Sequence, residues 1–282
     1  MNMARRMILN AMSVDVEDYF QVSAFENTLR RKDWGGMEHR VAQNTNKILD
    51  WFEKNSIKAT FFMLGWVAER YPQLLHRIVR EGHELASHGY THIRATEQSP
   101  REFSEDVTKT KKMLEDLSGT EVKGYRAASY SIGSENLWAL DILAHAGYRY
   151  SSSIYPIKHD LYGMPEAPRF MFRHENSELV EIPISTVVAA GRKLPCGGGG
   201  FFRLFPYLYS KWAIRRVNMK DGQPVIFYFH PWEIDTEQPR ITDAPFRARF
   251  RHYLNLDKME SRLDRLMNDF SWDRIDRIFL NS

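Results

Sequence analysis

Short apolar runs alternate with longer stretches of helical period along most of this chain. Met7 to Val14, "ATFFML" (59–64), "HELAS" (83–87), "VKGYR" (122–126), "YRYSS" (148–152), "LVEIPI" (179–184) and "VIFYFH" (225–230) read as strands, and "RIFL" (277–280) as a last one. Between them, "WVAERYPQLLHRIVREG" (66–82) places Leu74, Leu75, Ile78 and Val79 at helical spacing and ends on Gly82. The stretch 99–119 carries the marks of a helix: a Ser99/Glu102 capping box, Pro100 at the first turn, Gly119 at the stop, and an apolar face of Phe103, Val107, Leu114 and Leu117. Residues 134–147 predict a further helix, and Met259, Leu263, Leu266 and Phe270 mark one near the end. Segments 153–178 and 196–202 read as long loops. The four glycines of "CGGGGFF" either let backbone approach a ligand or make a flexible turn.

Strand–helix alternation over this length predicts parallel strands covered by helices. With six to eight strands, a (β/α) barrel leads and an open doubly wound sheet is its rival. No Gly-rich dinucleotide fingerprint and no phosphate loop follows any strand, which weakens the rival. There is no internal repeat and no low-complexity linker.

Composition narrows the class. The chain has 282 residues, 43% hydrophobic and 27% charged, the balance of a globular enzyme. Net charge is +3 with both signs interspersed, and no basic block tracks a nucleic-acid backbone, so nucleic acid is not an expected partner. The single cysteine, Cys196, excludes an intramolecular disulfide and reads as a small core thiol. Arg5 and Arg6 precede an apolar stretch, but it is short, runs into acidic residues and lacks a small-residue cleavage pattern. No stretch reaches transmembrane length, so the expected location is cytoplasmic.

The unusual polar residues fall at the C-terminal ends of the predicted strands. Asp15, Glu17 and Asp18 end the first, His88 and His92 follow the third, Arg126 ends the fourth and His230 ends "VIFYFH". In a parallel barrel those ends converge on the face that carries active sites. Two imidazoles and one carboxylate can hold Zn²⁺ or a similar ion with positions open for water and substrate. A second carboxylate could take a proton from that water, and a histidine across the cleft could protonate a leaving amine. That combination is suited to amide hydrolysis.

"SVDVEDYF", "ATFFMLGWVAERYP", "EGHELASHGYTH", "GYRAASYSI", "GGGGFFRLFP" and "FYFHPWEID", in this order over about residues 8 to 280, resemble the polysaccharide deacetylases: the NodB-homology group, carbohydrate esterase family 4. The resemblance extends to the branch found with exosortase-associated exopolysaccharide loci. It implies a distorted (β/α)7 barrel in a single domain over 1–282, with a core at about 8–235 and a helical extension at about 236–282. It also implies an N-acetylated oligo- or polysaccharide substrate, and one divalent metal: Zn, or else Co, Ni or Mn. By motif, the resemblance makes Asp15 the general base and His230 the general acid. His88 and His92 become metal ligands, and Arg126 the partner of Asp15. The backbone N–H near Tyr130 becomes an oxyanion donor, and Tyr130 and Trp232 become substrate contacts. The third ligand is Asp18, the shorter and commoner type, with Glu17 as the alternative. Strand alternation points Asp15 and Glu17 to one face, whereas a bulge or turn brings in Asp18.

Two positions depart from the family pattern. Ala128 stands where proline is usual, which loosens the loop carrying the oxyanion donor. Ser151 stands where an aspartate usually supports the catalytic histidine, so another group, such as Glu233 or Asp160, has to replace it. These departures motivate an alternative reading, a weakened or non-catalytic sugar binder. A second alternative is a metal-free, allantoinase-like amidohydrolase.

Overall fold

The structure, a computed structural model, describes residues 8–160, 162–174 and 177–280. Its strands are β1 (Leu9–Val16), β2 (Thr60–Met63), β3 (Glu84–Ser87), β4 (Gly124–Tyr125), β5 (Tyr150–Ser151), β6 (Phe172–Arg173), β7 (Val180–Glu181), β8 (Thr186–Ala189), β9 (Arg192–Pro195), β10 (Ile226–Phe229) and β11 (Ser271–Asp273). Its helices are α1 (Val41–Lys54), α2 (Gly65–Arg70), α3 (Pro72–Arg80), α4 (Pro100–Ser118), α5 (Trp138–His145), α6 (Gly199–Leu204), α7 (Tyr207–Arg216), α8 (Phe246–Tyr253), α9 (Met259–Asp269) and α10 (Ile275–Phe279).

The strands run in the order β10-β1-β2-β3-β4-β5-β7, each parallel to its neighbours, and β6 adds an antiparallel edge. This curled parallel sheet is the expected distorted seven-stranded barrel. Chain from other segments spans the gap between β7 and β10. The Ile184 N–H donates to Ile154 O (2.9 Å), Ile226 N–H to Ser185 Oγ (2.8 Å) and Tyr228 N–H to Gly197 O (3.2 Å). The segment after 235, expected as a helical extension, also contributes β11, which pairs with the start of β1.

Alternation along the strands makes two apolar layers. Met12, Val14, Phe61 and Phe227 face the helices, together with Leu49 and Leu75. Ala11, Phe62, Ala86, Tyr150 and Ile226 form a second cluster on the other face, with Ile275 of α10 packed among them. Each large side chain buried this way contributes about 1.5–3 kcal/mol. Ser13 and Asp15 share the parity of Ala11, so β1 delivers them into the curl.

The capping box at Ser99/Glu102 and the left-handed Gly119 (φ +68°) bound α4 as expected. Other boundaries differ. The helix expected over 66–82 is broken at Tyr71 (φ −127°, ψ 55°), because the residue before Pro72 is driven out of the helical region. "RIFL" lies largely in α10 rather than in a strand, because Ile275 and Ile278 turn toward the Tyr150 cluster at helical spacing. The expected 196–202 loop is helical from Gly199. The 153–178 loop contains β6, and its residues 161, 175 and 176, like Met7 of the first strand, lie outside the described residues. Helix α1 was not expected, although Val41, Thr45, Ile48, Leu49 and Phe52 give it a buried face.

Candidate active site

The C-terminal ends of β1, β3, β4 and β10 converge on a cleft of about 610 Å³. Asp15, Glu17, His88, His92, Tyr130, His230 and Trp232 all line it. Arg126 lies behind Asp15 and is fully buried.

Asp15 is held from two sides. Arg126 Nη1 donates to its Oδ1 at 2.5 Å, and Tyr130 Oη donates to its Oδ2 at 3.3 Å. Arg126 is itself fixed by Ser13 Oγ (2.9 Å), by Ser152 O and Oγ (3.2 Å each) and by its seat over the Phe62 ring (3.9 Å). A buried guanidinium with every face engaged makes Asp15 a carboxylate of fixed orientation.

The chain leaves β1 through a tight bend in which Glu17 N–H donates to Asp15 O (3.0 Å). The bend keeps Glu17 on the face of Asp15. Glu17, His88 and His92 each offer a ligand atom, and these atoms lie within 4.8 Å of one another. Asp18, the favoured third ligand in the sequence reading, is not in this cluster. Its Oδ2 accepts from Arg40 N–H (2.7 Å) and Val41 N–H (2.9 Å), and its Oδ1 accepts from Tyr19 N–H (3.0 Å). It therefore satisfies the open N-terminus of α1. Burial pushes its pKa up to about 6, against the pull of those N–H groups.

His88 and His92 are separated by a turn at Gly89 (φ +75°), not by a helical turn. His88 Nδ1 donates to the Arg126 carbonyl (2.8 Å), which leaves Nε2 as the lone-pair nitrogen. Burial holds its pKa down to about 4, so the ring is neutral. Burial raises the pKa of Glu17, but His92, His230 and His88 outweigh it and bring it to about 2. Glu17 Oε2 lies 3.0 Å from His92 Nε2 yet is a buried oxygen without a hydrogen bond. An ionised carboxylate with an orphaned oxygen between imidazoles, one of them tautomerically fixed, fits a divalent cation such as Zn²⁺.

His230 stands across from this cluster. Its Nε2 is 3.5 Å from Glu17 Oε1 and 3.9 Å from Asp15 Oδ2. Its Nδ1 bonds Glu233 Oε1 (2.8 Å), and Glu233 Oε2 accepts from the buried Arg203 (2.6 Å). Burial alone lowers the His230 pKa, but Glu17, Glu233 and Asp15 raise it to about 9. The support expected from another group thus comes from Glu233. Asp160 instead pairs with Arg251 (3.0 Å), and Ser151 Oγ bonds Ser153 Oγ (2.8 Å).

Two further expectations change. The Tyr130 N–H donates to Ala127 O (3.0 Å), so it is not a free oxyanion donor; the Tyr130 hydroxyl is what points at Asp15. Trp232 lines the cleft but is only 6% exposed. Its ring stacks on His252 (4.1 Å) and near His230 (5.2 Å), and its Nε1 donates to Glu17 Oε1 (3.3 Å). It orients the site more than it offers a sugar platform. The loop at Ala128 is not loose: Ser129 and Tyr130 are both left-handed (φ 52°), and Ser129 Oγ is tied to Ser23 Oγ (2.5 Å). The Ala127 N–H is likewise tied to Ser153 Oγ (2.9 Å).

The sequence reading missed Arg203, Tyr228 and His252. Tyr228 precedes His230 by two residues, so strand period alone puts both on one face. Arg203 was visible as a lone cation inside "GGFFRLFP".

Comparison with known proteins bears on the family and the fold. The polysaccharide deacetylase family matches residues 33–151, and a domain of unknown function, DUF3473, matches residues 152–280. The match to the polysaccharide deacetylase family thus covers residues 33–151, less than half of the chain. It is 36% identical over 98 residues to a peptidoglycan-N-acetylglucosamine deacetylase of Bacillus cereus, covering 34% of this chain and 36% of that protein. It is 30% identical over 100 residues to a chitooligosaccharide deacetylase of Bradyrhizobium, covering 36% of this chain and 43% of that one. The alignments therefore span less than half of these relatives. A crystal structure assigned as a polysaccharide deacetylase from Mycobacterium smegmatis superposes with a TM-score of 0.62 at 17% identity. That match covers 99% of this chain and 91% of the other, and it establishes a shared fold.

Proposed function

We propose that this protein is a metal-dependent N-deacetylase of N-acetylated sugars in an oligo- or polysaccharide. One observation carries the reading: the Glu17/His88/His92 cluster shares one cleft with Asp15 on one side and His230 on the other. The relatives named as sugar N-deacetylases support the substrate class.

Glu17, His88 and His92 would hold the metal. Bound there, a divalent cation would polarise the acetamide carbonyl and acidify water. Asp15, oriented by Arg126 and Tyr130, accepts the proton of the attacking water. A bond forms from that water's oxygen to the acetyl carbon. As the carbon–nitrogen bond breaks, His230 Nε2 donates its proton to the departing nitrogen. Acetate and a free amine result. Glu233, backed by Arg203, holds Nδ1 of His230 so that Nε2 is the donating atom, which is the support a strand aspartate would otherwise give.

The test is acetate release from N-acetylglucosamine oligomers with Zn²⁺, Co²⁺ or Mn²⁺ supplied. Activity that falls by about 10²–10⁴-fold in D15N supports the reading. No release from any N-acetylated oligomer by metal-loaded protein refutes it.

A further inference from the structure

The outer wall of the cleft exposes large apolar side chains, as α7 also does through Leu208 and Trp212. Helix α8, "FRARFRHY", packs inward through buried His252, whose ring meets Phe25 at 4.7 Å. Its opposite face carries Phe246 (73% exposed) and Phe250 (51%), one helical turn apart with rings 6.2 Å between centroids. Arg247 and Arg251 follow each phenylalanine by one residue, and both are exposed. Leu204 (48% exposed) joins them at the mouth of the same cleft. Large apolar side chains exposed together are unusual on a protein that meets only water.

Charge sharpens the reading. Residues 240–253 contain Arg240, Arg247, Arg249 and Arg251 against Asp243 alone. That surplus of three equals the net charge of the whole chain, +3, so the remaining residues balance. The segment that presents the exposed phenylalanines is therefore cationic, as is 203–220, where Arg203, Lys211, Arg215, Arg216 and Lys220 meet no acid within the segment. A short helix with aromatic rings and arginines on one outward face is suited to the boundary between anionic headgroups and acyl chains. No helix among the described residues is long and apolar enough to cross a membrane, so the contact is peripheral.

We propose that α8 docks the protein on an anionic phospholipid surface, with Phe246, Phe250 and Leu204 entering the interface and Arg247 meeting headgroups, while Arg251 is held by Asp160. The cleft then opens toward the bilayer. This goes beyond the deacetylase reading and does not depend on it.

The experiment is co-sedimentation of the full chain with phosphatidylcholine vesicles, with and without phosphatidylglycerol, in low and moderate salt. Binding is expected only with phosphatidylglycerol. It should weaken about fivefold in R247Q, the worth of one arginine near an anionic surface. It should weaken by more than tenfold in F246S/F250S, whose changes lie on exposed positions and spare the core. Absence of binding to phosphatidylglycerol vesicles overturns the proposal. Binding that the serine pair leaves unchanged, matched by equal affinity for a soluble polygalacturonate, overturns it in favour of an anionic glycan. A dimer in size-exclusion chromatography that F246S/F250S converts to monomer overturns it in favour of a second copy of the chain.

Discussion

Glu17 and Asp18 are adjacent carboxylates with opposite tasks, and substitution separates them. E17A removes the two oxygens that face His92 and His230, and metal uptake should weaken by more than about 100-fold, beyond the usual cost of losing a group that merely orients a ligand. D18A should leave metal content intact. It orphans the N–H groups of Tyr19, Arg40 and Val41, and stability should drop by about 2–4 kcal/mol. Elemental analysis beside urea unfolding of both variants decides the assignment. Glu233 makes a third case. In E233Q the amide still fills the space beside His230 but cannot support an imidazolium by charge. We expect kcat to fall roughly 10–10²-fold with KM nearly unchanged and metal content preserved, measured by steady-state acetate release. A loss of metal in E233Q would mean that the residue holds the cluster and not the acid.

Helix α6 packs against the residue that holds His230. Its first residue, Gly199, packs against Glu233: a Cβ there would lie 2.1 Å from Glu233 Oε1. Gly198 likewise meets the Tyr228 ring, at 2.6 Å from such a Cβ. Gly198 and Gly199 thus admit the protein's own side chains, and Gly197 admits the Ile226 carbonyl. Gly200, one residue on, lines the cleft and has open space for a Cβ. G199A should displace Glu233, lower kcat as E233Q does and destabilise the fold by about 1–3 kcal/mol. G200A should instead raise stability by about 0.5–1 kcal/mol, as alanine does in a helix. Thermal unfolding of the pair, with activity assays, checks both signs.

Stability is a property of the whole molecule, and its pH dependence has a traceable part. His83 precedes β3, with its ring against Phe52 and Phe61 (6.0 and 5.1 Å) and its Nδ1 accepting from Ala59 N–H (3.1 Å). Burial, aided by Lys58, Arg274 and Arg77, lowers its pKa from 6.5 to about 3. The unfolded chain therefore binds this proton more tightly than the native one. The stabilisation is complete above pH 6.5 and is lost as pH falls toward 3, by about 2 kcal/mol at pH 5. Glu84 and Glu181, both raised by burial to about 7, act in the opposite direction. The His83 share is isolated by comparison with H83N. Between pH 7 and 5, wild type should lose about 2 kcal/mol more than H83N does in urea unfolding.

The periodicity of short apolar runs and capped helices was enough to predict a parallel barrel and to place Asp15, His88, His92, Arg126 and His230 at one end of it, because strand parity and strand direction are local properties of sequence. The capping box of α4 was legible for the same reason: its partners are three residues apart. What sequence ranked the other way was Glu17 against Asp18. That choice depends on the start of α1, more than twenty residues away, where unsatisfied N–H groups claim Asp18 and leave Glu17 to the cleft. The Glu233–Arg203 pair, the helical start inside the glycine run and the return of β11 to β1 share that origin. Each is settled by a contact between segments distant in the chain, where burial leaves one partner available to each polar group, and only the folded molecule brings those segments together.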